Sequence, residues 1–182
     1  MSARGSGLKF APVKHGDANL SENGVYRYAL TRRWTDVVQK TAVFIMLNPS
    51  TADATANDPT IRKCVGFAQR WGMDAIAVVN LFAFRASKPV VLRLAADKVG
   101  PENDEWIRGV TIHSPGSSII AAWGANGADY PDRVRHVYGL VGRAMRALTI
   151  LNSGHPAHPL MIPYSACPQP WSLDNLKPAE ET

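Results

Sequence analysis

Residues Val43–Asp58 read VFIMLNPSTADATAND, and the fold class follows from how this stretch is divided. Val43 to Leu47 are apolar without interruption, the signature of a strand buried on both faces of a parallel sheet. Asn48-Pro49 stops the run and opens a polar loop of small side chains. The loop closes at Asp58-Pro59, where an Asp caps a helix and a Pro fits its first turn. Open α/β sheets present their chemistry in such strand–loop–helix connections, at the carboxyl ends of strands. Asn48, Asp53 and the loop around them are therefore expected to face a ligand.

Outward from this stretch the chain alternates strand and helix signals. Val25–Trp34 mixes β-branched and aromatic residues and predicts a strand, joined by a hairpin-like connection through Asp36 to the strand Thr41–Leu47. Ile61, Cys64, Val65, Ala68 and Trp71 fall at helical spacing, and Gly72 ends that helix. Ala75–Leu81 reads as a second buried strand ending at Asn80, followed by a loop that holds Phe82, Phe84 and Arg85. Residues 90–97 predict a short helix and Glu102–His113 a better one. Ser118–Trp123 predicts a third buried strand, closed by Gly124. A long helix is expected from about Pro131 to Ala147, carrying Arg135, His136, Arg143 and Arg146 on a solvated face. A strand over Leu148–Leu151 then leads into the Pro-broken NSGHPAHP segment. Alternation of this kind predicts a three-layer α/β/α domain with a central, mostly parallel sheet of about four strands. Residues 1–24 lack periodicity and read as a flexible arm; residues 25–182 read as one domain.

A chain of 182 residues with 46% hydrophobic content can bury a sizeable core. No apolar run approaches the ~18 residues that span a bilayer, and the N-terminus lacks the apolar segment of a signal peptide. Two cysteines far apart read as reduced thiols of a cytoplasmic protein. They also cannot supply the four ligands of an iron-sulfur cluster. No cofactor and no metal are expected: His155 and His158 are separated by prolines and cannot share a helical face as a zinc pair would. A net charge of +5 suits an anionic partner such as DNA; the protein is expected to be a monomer that does not engage a membrane.

The runs MLNPSTAD, NDPTIRKC, VVNLFAFRASKP, AAWG and GHPAHPLMIPYSA together resemble a bacterial and phage family of unknown function, over about Tyr26 to Trp171. More distantly, the order of motifs is similar to the mismatch-specific branch of the uracil-DNA glycosylase superfamily. IMLNPS is similar to its GINPG-like loop through Asn48 and Pro49, VVNL to its Asn-containing strand end through Asn80, and HPL to its HPS-like loop through His158. Met46 and Ser50 stand where that first loop carries glycines, and Leu160 where the last carries serine. The resemblance thus implies a base pocket on a uracil-DNA glycosylase-like fold, more firmly than it implies uracil.

Cleaving an N-glycosidic bond builds positive charge on the sugar and negative charge on the departing base, so it needs a group that positions water and a donor aimed at the base. Asn48 can orient water through its amide oxygen, Asp53 can act as base or steady the cationic sugar, and His158 can donate to the leaving base. Asn80 can read a base edge, Pro49 and Ser50 are expected among the substrate-binding residues, Phe82 can stack on a base, and Arg85 can meet a phosphate. The target base would have to leave its stack. Asp58 reads as a helix cap. His155, next to the mobile pair Ser153-Gly154, is expected in solvent, and His158, beside apolar Leu160–Ile162, is expected to be fixed. The function expected is that of a DNA glycosylase acting on a flipped base, ordinary or modified. The alternatives are a nucleotide or nucleic-acid binding module without catalysis and a small-nucleoside hydrolase.

Overall fold

A computed structural model describes residues 11–50, 52 and 56–177. Eleven elements are used below: β1 (His15–Leu20), β2 (Arg27–Arg33), β3 (Thr41–Met46), α1 (Pro59–Arg70), β4 (Ala75–Asn80), α2 (Pro89–Leu94), α3 (Asn103–His113), β5 (Ser118–Ala121), α4 (Pro131–Val141), β6 (Met145–Ala147) and β7 (Gln169–Trp171). The strands form one seven-stranded sheet in the order β1-β2-β4-β3-β5-β6-β7. The β4-β3-β5-β6 pairings are parallel, whereas β1-β2, β2-β4 and β6-β7 are antiparallel. The fold is α/β, but the expected mostly parallel sheet of about four strands is corrected to a mixed sheet of seven.

Every residue of β3 and β4 is buried, because side chains alternate between two covered faces. Val43 and Ile45 join a core with Leu92, Ile107, Val134 and Val137 of α2, α3 and α4. Ala42, Phe44 and Met46 join a second core with Ile61, Cys64, Phe67 and Ala68 of α1. Each large apolar side chain so buried contributes about 1.5–3 kcal/mol relative to exposure. No helix of the described residues is long and apolar enough to cross a membrane.

Four further expectations change. β2 does not form a hairpin with β3, whose two edges are taken by β4 and β5; it pairs with β4 instead, Leu30 opposite Val78. The polar His15–Leu20, expected within a flexible arm, forms an edge strand on β2. The helix expected to reach Ala147 ends at Val141, because Gly142 adopts the left-handed conformation (φ 57°) that closes a helix. The last parallel strand accordingly falls at Met145–Ala147 rather than 148–151, and Gln169–Trp171 pairs with it on its outer edge.

The connections define where a ligand can enter. From β3 the chain leaves through α1 on one face to reach β4; from β5 it leaves through α4 on the other face to reach β6. Loops departing to opposite faces from neighbouring parallel strands open a crevice outside their carboxyl ends. In this sheet that point lies between β3 and β5.

Candidate functional site

The crevice is present as a cleft of about 370 Å³ whose walls include Leu47, Asn48 and Ser50 after β3, Trp123 and Asn126 after β5, and His158. The loop Ala86–Pro89 completes it. Its size is within the range of small-molecule sites. A larger groove, about 890 Å³, lies at the other edge of the sheet, beside the strand starts Thr41 and Ala75 and the α3 residues Trp106 and Val110. None of the candidate residues named from sequence lines that groove, so the smaller cleft is the candidate site.

Asn48 is held by its amide nitrogen, which donates to the carbonyls of Ala86 (2.8 Å) and Pro49 (3.0 Å) and approaches that of Phe84 (3.5 Å). Carbonyls only accept, so the NH₂ group must face them. Oδ1 is thereby turned away, and it accepts no hydrogen bond among the described residues. Ala86 N–H returns a bond to the Pro49 carbonyl at 3.0 Å, which joins the two loops on either side of the cleft. Ser50 and Ser87 hydroxyls meet across the same seam at 3.4 Å.

Opposite them, His158 caps a single 3₁₀ turn, Pro159–Met161, and its Nδ1 accepts the Leu160 N–H at 3.3 Å. Burial lowers its pKa, opposed by the negative charge of Asp58. A neutral ring that accepts at Nδ1 carries its proton on Nε2, so the imidazole is a pre-set donor. Gly124, at φ 77°, lets the two segments approach: a Cβ there would stand 3.1 Å from the His158 Cβ. Asp58 itself accepts from Ile61 N–H at 2.8 Å and is the cap of α1, as read from sequence.

His155 is not in solvent. It is 7% exposed and its Nδ1 accepts from the Trp123 indole at 3.3 Å, so the expectation of a free imidazole is corrected. Burial lowers its pKa too. Trp123 packs edge-on to Trp171, with ring centroids 5.0 Å apart, and the Trp171 indole donates to Gly154 O at 2.9 Å. That bond fixes the segment that sequence reading left mobile. Over this stack runs Gly127, where a Cβ would meet Trp123 Cδ1 at 2.2 Å.

The other sequence-derived candidates fall elsewhere. Pro49 is buried behind the cleft. Asn80 is 1% exposed, lies outside the lining and has its amide nitrogen unpartnered. Its carbonyl and that of Leu81 accept from Asn103 Nδ2 (3.1 Å each), and Leu81 O also accepts from Arg133 Nε. The end of β4 is therefore sealed by α3 and α4, while the ends of β3 and β5 stay open. Phe82 is a core residue, edge-on to Tyr130 with centroids 4.7 Å apart. Arg85 donates to Gly24 O at 3.1 Å, behind β2 rather than into the cleft. Arg143 is outside α4 and donates to Thr111 O, and Arg146 to Pro168 O. Asp53 lies outside the described residues.

Two arginines that sequence reading passed over anchor Ala52, Ala56 and Asn57. Arg27 (3% exposed) and Arg32 (1%) of β2 are buried. Arg27 donates to the Ala52 carbonyl, and Arg32 to Asn57 Oδ1 (2.7 Å) and the Ala56 carbonyl (3.3 Å). Sequence gave no sign of this, because charge in a strand reads as solvent-facing. Also missed were Ser87, Lys88 and Asn126 in the cleft wall. Ser87-Lys88-Pro89 reads as a break in the pattern, not as a wall.

A family model described as a protein of unknown function, DUF1643, matches residues 27–160. The chain belongs to the DUF1643 family. The matched span holds β2, the strand–loop–helix segment, β5 and His158, so both walls of the cleft lie within the DUF1643 match. No curated protein matches the chain.

Proposed function

We propose that this DUF1643 protein is a DNA glycosylase-like hydrolase that cleaves the N-glycosidic bond of a flipped base. The observation that carries the reading is the pairing, across one cleft, of Asn48, whose amide leaves only Oδ1 for a ligand, with His158, whose ring presents an N–H. An acceptor that orients water and a neutral donor for a departing base are what the reaction needs. In hydrolysis the bond pair leaves with the base nitrogen, the water oxygen bonds to the sugar carbon, and the released proton ends on the base. Asn48 Oδ1 orients the water; His158 Nε2–H bonds the base oxygen on which charge develops. Both groups are fixed beforehand by main-chain contacts, so little reorganisation is left for the reaction step. Leu47 and Trp123 supply apolar walls for a flat heterocycle.

Asn48 and His158 on facing walls of the cleft, the crevice between β3 and β5, and the net charge of +5 support a partner of the uracil-DNA glycosylase type, whereas Asn80 contributes nothing to the pocket. The test is incubation with DNAs carrying uracil and a panel of modified bases, followed by alkali cleavage at abasic sites. Strand cleavage that disappears with His158→Ala supports the reading. Release from free deoxynucleosides but not from DNA would make the protein a nucleoside hydrolase, and base binding without release would make it a binding module.

A further inference from the structure

Helix α3 has a buried side and a bare one. Asn103, Ile107 and Thr111 are buried. With about 3.6 residues per turn, the opposite side centres on Gly109, and Glu102, Glu105, Trp106, Ile112 and His113 fall within about 60° of it. Ile112 is 55% exposed. Trp106 is half-buried, parallel to Tyr28 with ring centroids 6.3 Å apart. A Cβ on Gly109 would meet nothing within 4 Å. Packing within the chain therefore does not call for a glycine there, although glycine weakens a helix interior. This face borders the groove of about 890 Å³, which Glu105, Trp106, Gly109 and His113 help to line while Ile112 stands on the ridge beside it.

A ridge beside a groove is self-complementary under a twofold axis, which carries the ridge of each copy into the groove of the other. The order of residues selects the same occupant. Glu105 and His113 lie four positions before and after Gly109, about 6 Å along the helix in each direction, and neither has a hydrogen-bond or ion-pair partner among the described residues. Trp106 and Ile112 lie three positions before and after it. We infer that the protein forms a twofold dimer through antiparallel α3 helices with Gly109 at the axis, in place of the monomer expected from sequence. An axis there brings each Glu105 opposite the partner's His113, a carboxylate facing an N–H donor, and each Ile112 over the partner's Trp106. The two glycines let the backbones approach closely. The cleft lies at the other edge of the sheet, so the dimer leaves it open and depends on none of its chemistry.

The test is sedimentation velocity of the full chain from about 1 to about 200 µM, a range over which a monomer–dimer equilibrium shifts with concentration. A monomer-to-dimer transition is expected within it. Ile112→Glu and Gly109→Gln should each raise the dimer Kd by about tenfold or more, the first by losing an apolar contact on both sides of the axis and the second by holding the helices apart. Glu105→Lys should also weaken the dimer, and adding His113→Glu should restore it to within about threefold of wild type, because only contacting sites couple in this way. Thermal melts at the lowest concentration, where the chain is a monomer, keep folding separate from association. There Gly109→Gln should melt at or above the wild-type Tm, since the new side chain meets no neighbour and glutamine is the better helix former. A lower Tm would show that the glycine serves the monomer and would overturn the inference. So would a monomer at every concentration, a dimer indifferent to Ile112→Glu and Gly109→Gln, or a charge-reversed pair that fails to reassociate.

Discussion

Asn48→Asp tests the orientation of the amide on which the site depends. In the wild type, Nδ2 donates at 2.8 Å to Ala86 O and 3.0 Å to Pro49 O; the 3.5 Å contact to Phe84 O is too long to count as a third bond. Two bonds at about 0.5–1.5 kcal/mol each put the cost of Asn48→Ala at about 1–3 kcal/mol. Asn48→Asp changes one NH₂ group into an oxygen and turns two attractions into acceptor–acceptor repulsion, so it should cost more than the Ala variant at neutral pH. The penalty should also be pH-dependent. Facing carbonyl oxygens, the introduced carboxyl has its folded pKa raised above its unfolded value of about 3.9. Its penalty is complete above the folded pKa and shrinks as pH falls through it, because the protonated acid can donate to Ala86 O again. Urea denaturation from about pH 7 to about pH 4 measures both effects. If Asn48→Asp is as stable as wild type at neutral pH, the oxygen rather than the nitrogen faces the Ala86 loop, and the water-orienting role assigned to Oδ1 fails.

His158→Ala should lower base release by about 10²–10³-fold, the usual cost of a lost charge-stabilising donor, and His158→Gln, which keeps an N–H donor, should recover part of it; single-turnover assays on cleaved DNA decide this. His155→Ala should destabilise by about 1–3 kcal/mol, because it leaves the buried Trp123 N–H unpaired, whereas His155→Gln keeps an acceptor and should cost less in the same urea titrations. Burial lowers the pKa of both imidazoles, so below about pH 6.5 the unfolded chain binds protons that the folded chain refuses. Stability should therefore fall as pH drops from about 6.5 toward the lower folded values, and the urea midpoint should fall less steeply in His155→Gln; a midpoint that rises on acidification would refute the assignment. Gly127→Ala places a Cβ 2.2 Å from Trp123 Cδ1 and should cost about 1–3 kcal/mol as overpacking, with a changed tryptophan emission spectrum reporting the displaced indole.

What could be read in advance depended on whether the deciding contact was local. β3 and β4 announce themselves as unbroken apolar runs because both their faces are buried, and Asn48-Pro49 marks where the first of them stops. β1 has no such pattern: HGDANL is held by main-chain pairing to β2, with little burial to show in its side chains. The end of α4 was hidden because Met145 and Leu148 continue the helical spacing past Gly142, and they are buried from a strand and a loop instead. His155 is buried by Trp123, 32 positions away, and Phe82 by Tyr130. Neither partner is visible from the sequence around the residue itself. Buried Arg27 and Arg32 were the least legible, since their acceptors are carbonyls and an Asn side chain in a distant loop.

The same acceptors carry an evolutionary consequence. Arg27 grips the Ala52 carbonyl, Arg32 the Ala56 carbonyl, and Asn48 the carbonyls of Pro49 and Ala86. A carbonyl is offered by every amino acid, so these anchors specify the path of the loops and are indifferent to most of the side chains along it. Residues such as Ser50, Ala86 and Ser87 can thus be exchanged for others while the walls keep their places. The scaffold thus separates where the cleft lies from which side chains line it, and point changes can alter the lining without the frame having to be rebuilt.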